Sequence, residues 1–112
     1  MSTPLIDEPR FQLLADVAFR RIEDALQDVD AEDVDCERAG DVITLLFRGG
    51  ARCIVNTQRP TRQIWLAANA RAWHFSYDES ADRWIDDKGT DAELFSTVSR
   101  IVKETTAVDV SV

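Results

Sequence analysis

Nine carboxylates crowd the stretch from Glu23 to Asp41: Glu23, Asp24, Asp28, Asp30, Glu32, Asp33, Asp35, Glu37 and Asp41, with Arg38 the only base among them. Carboxylate oxygens are hard ligands, suited to iron, manganese, calcium and magnesium. No Asp-x-Asp-x-Asp-Gly spacing ends in a glutamate, so this is no EF-hand. With no histidine nearby and no single loop to wrap an ion, the spacing predicts several weak, open cation sites rather than one tight one. An ordinary acidic run would be read as a solvated face that keeps the chain soluble. Here acids in the last turn of a helix oppose its dipole, and Asp24 and Asp28 repel each other at four-residue spacing. A single sign kept at that cost describes a surface that gains when positive charge arrives.

Other chemistry finds little footing. Cys36 and Cys53 form no CxxC pair, and His74 is the single histidine, so a structural zinc site lacks ligands. The two thiols could pair, but in a domain with an adequate apolar core they read as free and buried. No glycine-rich phosphate loop is present, and no histidine stands near a serine or cysteine in sequence. The expectation is therefore a non-enzyme. A formal net charge of -8 argues against nonspecific nucleic-acid binding and against an anionic membrane surface, and for cations or basic protein surfaces as partners. No apolar run has the length of a membrane span, and the first ten residues lack the pattern of a signal peptide.

The elements that must hold the acids follow from periodicity. After a disordered start over residues 1–7, Phe11, Leu14, Ala15, Ala18, Ile22, Leu26 and Val29 recur at three- and four-residue steps. They predict an amphipathic helix from Glu8 to Asp28 or Val29. The period then changes to two. Strands are predicted at Asp33 to Glu37, Val42 to Arg48, Ala51 to Thr57, Arg62 to Ala68, Arg71 to Tyr77 and Arg83 to Ile85, with Gly49-Gly50 as the plainest hairpin signal. Asp33, Asp35 and Glu37 should line one face beside the helix end. Thr90 and Glu93 predict a capping box for a second helix ending at Lys103 or Glu104, followed by an extended tail with alternating Val108, Val110 and Val112. Trp73, Phe75, Trp84 and Phe95 are expected in the core, and the acids from Asp78 to Asp87 in turns. The fold class is α+β: a two-layer sandwich with both helices on one face of a five- to six-stranded antiparallel sheet, in one domain over residues 1–112 with its core at about 8–106.

Parity places Trp65 opposite Ile64 and Leu66, on the outer side of the sheet. There it is either an interaction anchor or an aromatic covered by arginine and glutamine stems. His74 shares that outer side.

The acidic helix and strand, followed by Asn56-Thr57-Gln58-Arg59-Pro60-Thr61-Arg62-Gln63-Ile64-Trp65-Leu66-Ala67, resemble the frataxin family, specifically its bacterial branch. The family's central pattern is N-x-Q-x-P-x-x-Q-I-W-L-A, and this chain carries every fixed letter. Trp73-His74-Phe75 and Trp84-Ile85 stand where the family has its next two strands, so the likeness covers about residues 8 to 106. The resemblance implies an iron-binding regulator or iron donor in iron–sulfur cluster assembly that binds the cysteine desulfurase, with the iron–sulfur scaffold protein as a further partner. Carried over by position, it implies weakly surface-bound Fe2+ or Fe3+, replaceable by other divalent cations, at Glu23, Asp24, Asp28, Asp30, Asp33 and Asp35. It implies partner contacts at Glu32, Glu37, Asn56, Gln63 and Trp65. Gln27 stands where relatives often have another acid, and Gln12 where some have a histidine. The chain lacks the mitochondrial extension of eukaryotic relatives, so the expected location is a bacterial cytoplasm and the expected state a monomer that iron can assemble. A ferroxidase or iron-storage protein, and an acidic docking module with incidental metal, are the competing readings.

Overall fold

A computed structural model describes residues 6–90 and 92–112. The elements run α1 (Glu8–Leu26), β1 (Val34–Ala39), β2 (Val42–Phe47), β3 (Arg52–Gln58), β4 (Gln63–Ala68), β5 (Arg71–Asp78), β6 (Arg83–Asp86) and α2 (Leu94–Thr106). All six strands form one antiparallel sheet in sequence order, β1 to β6. This is the expected two-helix sandwich on a six-stranded sheet.

Alternation explains the layers. Ile43, Leu45 and Phe47 of β2 point inward and are buried, as are Cys53 and Val55 of β3, Ile64, Leu66 and Ala68 of β4, and Trp73 and Phe75 of β5. The helices close this face with Phe11, Phe19, Ile22 and Leu26 from α1 and Leu94, Val98, Ile101 and Val102 from α2. The other face of the sheet carries Val42, Leu46, Ile54 and Trp65 and is only partly covered.

Several boundaries differ from the sequence reading. The predicted disorder of residues 1–7 does not hold for Ile6, which packs on the core, or for Asp7, whose carboxylate caps α1 by accepting from the Arg10 backbone N–H at 2.9 Å; residues 1–5 lie outside the described residues. The first helix stops at Leu26, short of Asp28. Its last turn has no base to offset the dipole, and the following N–H groups of Gln27 and Val29 bond three residues back, to Asp24 and Leu26. Thr90 is not the cap of α2. Glu93 is, accepting from the backbone N–H groups of Phe95 and Ser96 at 2.7 and 3.0 Å. Thr90 instead donates to Asp86, which is buried rather than solvated in a turn, and so closes the β6–α2 loop at 2.8 Å. Phe95 is half-buried, its ring lying 3.9 Å beneath the Arg21 guanidinium. The tail settles between the helices: the Val112 N–H donates to Ser99 Oγ at 3.1 Å and its carbonyl accepts from Arg21 at 3.1 Å. Both cysteines are free.

Candidate metal and docking surface

The acidic segment wraps one end of the molecule. Glu23 and Asp24 leave the last turn of α1, Asp28 and Asp30 lie in the connection, and Asp35 and Glu37 point outward from the edge strand β1. The connection is held by its own backbone: Asp30 Oδ1 accepts from the Glu32 N–H at 2.9 Å, and the Asp30 carbonyl accepts from Asp33 and Val34 at 2.9 and 3.0 Å.

Three arginines divide the carboxylates into partnered and unpartnered sets, which the run of acids alone concealed: Arg59 donates to Asp41 at 3.1 Å, and Arg38 and Arg48 take the others. Arg38 turns back under α1 and donates to Asp16 at 2.7 Å and Glu23 at 3.0 Å, its guanidinium 5.2 Å from the Phe19 ring. The bond from Arg38 holds the Asp16 carboxyl below the ordinary carboxylate range, and the same bond raises the arginine. Arg48 donates to Asp33 at 3.1 Å and stands 3.8 Å from Glu32. Among the described residues, Asp24, Asp28, Asp35 and Glu37 have no side-chain hydrogen bond or ion pair. Arg38 was visible in the sequence as the lone base of the segment; Arg48 lies outside it and was missed, because only the β1–β2 pairing brings it beside Asp33.

The arrangement is a row, not a cage. Among the described residues no three histidine, cysteine, aspartate or glutamate side chains converge on one point. Beside the row, between the end of α1 and β1, runs an open groove of about 370 Å³ lined by the apolar Leu26, Val29 and Val34 and by Cys36, together with Glu23, Asp24 and Asp35. Gln27 also lines it, so this departure from the family pattern falls at the ridge. Gln12 does not. It lines a separate small cleft with Asp16 and Arg38. Burial pushes the Cys36 thiol up to about 11, helped by the negative charge of Glu23 and Asp35, so the thiol stays protonated and is a poor ligand.

The remaining sequence-named residues sit apart, near the middle of the outer sheet face. Asn56 of β3 is paired with Trp65 of β4, and Trp65 with His74 of β5, so the three form a row across the strands. The indole stacks on the imidazole with centroids 4.2 Å apart and planes 17° from parallel. Gln63 accepts from the indole N–H at 2.9 Å while donating to Asp87 at 2.9 Å and Ser76 at 3.1 Å. Trp65 is thus held from two sides and only half-buried. His74 and Asp87 belong to this constellation. Strand parity pointed to the first, and nothing in the sequence pointed to the second. The structure therefore brings Asp35 and Glu37 onto the same sheet face as Trp65, but three strands away.

No described helix is long and apolar enough to cross a membrane. The frataxin-like domain family matches residues 4–108. The iron–sulfur cluster assembly protein CyaY of Pseudomonas fluorescens strain Pf0-1 is 39% identical over 99 residues, covering 88% of this chain and 88% of its own. That of Pseudomonas aeruginosa is 38% identical over 105 residues, covering 94% and 95%. Among solved structures, frataxin from Psychromonas ingrahamii superposes with a TM-score of 0.85 at 28% identity over 95% of this chain and 97% of that one. Trimeric frataxin from Saccharomyces cerevisiae, complexed with ferrous iron, shares the fold with a TM-score of 0.72 at 20% identity, covering 96% and 94%. Fold, central motif and relatives agree: the chain belongs to the frataxin-like family, in its bacterial CyaY branch.

Proposed function

We propose that this protein is an iron-binding regulator of iron–sulfur cluster assembly that docks on the cysteine desulfurase machinery of a bacterial cytoplasm through its acidic ridge, without catalysing a reaction itself. The relatives are named as iron–sulfur cluster assembly proteins, and one structural neighbour is described with ferrous iron. The observation that carries the reading to this chain is the set of carboxylates without a side-chain partner among the described residues, Asp24, Asp28, Asp35 and Glu37, along one edge of the molecule. Hard oxygen donors in an open row hold iron as cargo that arrives and leaves, where a closed cage would retain it. The remaining acids named above, Glu23, Asp30, Glu32 and Asp33, already serve Arg38, Arg48 and the turn; they support the ridge and join an ion only by exchanging those partners. Asn56, Gln63 and Trp65 offer a second contact area to the same machinery, with Trp65 as its rigid anchor.

The ridge also fits a basic protein surface with no metal involved, because the unpaired carboxylates attract any cation. Reversing Asp24 and Asp28 to lysine and measuring binding to purified cysteine desulfurase separates the two. Both readings expect at least a tenfold loss of affinity in metal-free buffer; only the iron reading expects the unaltered protein to respond to added Fe2+ and the reversed variant not to. Unchanged binding by the reversed variant would remove the ridge from the interface.

A further inference from the structure

We infer that the free edge of β1 takes up an extended basic segment of a partner protein as a seventh strand; this rests on the reading of the ridge as a docking surface and names how the partner engages it. β1 is the end of the sheet, and among the described residues no strand pairs with its outer edge. The two-residue Gly40–Asp41 turn sets Ala39 opposite Val42. From there the antiparallel ladder alternates, so that Asp33, Asp35, Glu37 and Ala39 direct their backbone groups to β2, and Val34, Cys36 and Arg38 direct theirs outward. Two observed bonds fix this parity: Arg48 N–H donates to the Asp33 carbonyl at 3.0 Å, and Val34 N–H turns outward to the Asp30 carbonyl at 3.0 Å. The loop therefore caps the edge only at Val34. Among the described residues nothing bonds the outward N–H and carbonyl groups of Cys36 and Arg38, which are enough for a short added strand.

The side chains beside that edge specify the occupant. Along an added strand, side chains alternate between the two faces of the sheet. Those on the outer face fall beside Asp35 and Glu37, and those on the inner face fall beside Val34 and Cys36, toward the groove that Leu26 and Val29 also line. The fitting segment alternates bases with medium apolar residues. A second copy of this chain does not fit: pairing β1 with β1 sets Asp35 and Glu37 against their own kind, and like charges opposed across strands destabilise the pair. Acids on an edge strand thus guard it against self-association while selecting a basic partner.

The test uses the full chain in metal-free buffer with a fluorescein-labelled Lys-Val-Arg-Val-Lys-Val peptide. Two further versions are N-methylated on the backbone, one at every valine and the other at every base, leaving charge and side chains unchanged. Anisotropy reads affinity, and amide exchange by NMR reads Cys36 and Arg38. Strand addition predicts at least tenfold slower exchange at Cys36 and Arg38 with the unmodified peptide, and at least tenfold weaker binding for one methylated version but not the other. Equal binding by all three peptides without protection overturns strand addition and leaves charge-driven docking standing. Binding by none of them overturns both.

Discussion

Replacing Asp24 and Asp28 by lysine should make the protein more stable while removing its proposed function. Asp24 occupies the last turn of α1, and Asp28 follows the C-cap residue Gln27, in an end with no base. Each acid faces the negative end of the helix dipole, at a cost of about 0.3–1 kcal/mol at low salt, and a lysine there gains a similar amount. Because α1 ends at Leu26, Asp28 no longer stands one helical turn from Asp24, so the four-residue repulsion read from the sequence drops out of the sum. Crediting Asp24 fully and Asp28 partly, the double reversal should add roughly 1–2 kcal/mol. For a domain near this size that corresponds to a rise of about 4–8 °C in Tm. The assay is thermal unfolding by circular dichroism at low ionic strength and in 1 M NaCl, where the Debye length of about 3 Å should erase most of the gain. An unchanged or lower Tm at low salt would refute the reasoning, and so would a gain that persists at 1 M salt. Stability gained by removing a feature marks that feature as kept for something other than folding.

Arg38→Met should flatten the acid limb of the stability curve. The Asp16 carboxyl is held low in the folded state by Arg38, so its contribution is present above the ordinary carboxylate pKa and is lost as pH falls through the folded value; urea unfolding at pH 6 and pH 3 should show a smaller difference in the variant. The same variant releases Glu23 to the ridge and should tighten Mn2+ binding, read by calorimetry. In the folded protein both thiols should resist a thiol-reactive dye at pH 8, since burial pushes Cys36 up to about 11 and Cys53 up to about 12; rapid labelling without denaturant would contradict this. Gln63→Leu strips Trp65 of its acceptor and unlinks Asp87, so it should leave Tm within a few degrees but broaden and red-shift the tryptophan emission; an unaltered spectrum would show that Gln63 does not hold the indole.

The fold was legible because alternation and the 3.6-residue period are local signals. Ile43, Leu45 and Phe47 announce which face of β2 is buried, and Phe11, Ala15, Ala18, Ile22 and Leu26 do the same for α1. Caps were less legible. Thr90 and Glu93 have the spacing of a capping box, yet the loop uses Thr90 to satisfy the buried Asp86 and leaves the cap to Glu93, a choice that depends on where β6 ends. In the ridge, the acids themselves stood out by type and density. Which of them are already partnered did not, because Arg38–Asp16 and Arg48–Asp33 join residues far apart in sequence and meet only through packing and strand register. The Trp65 row was half visible, through the parity of β4 and β5. Asp87 reaches it from a loop whose course no periodicity describes.

The most direct test of the central claim is an amide NMR titration with Fe2+ under anaerobic conditions. The ridge account predicts that paramagnetic broadening begins at Asp24, Asp28, Asp35 and Glu37, spreads through residues 20 to 37, and is reversed by chelator. Broadening that begins elsewhere, at His74 or at the acids between Asp78 and Asp87, with residues 20 to 37 unaffected, would contradict it.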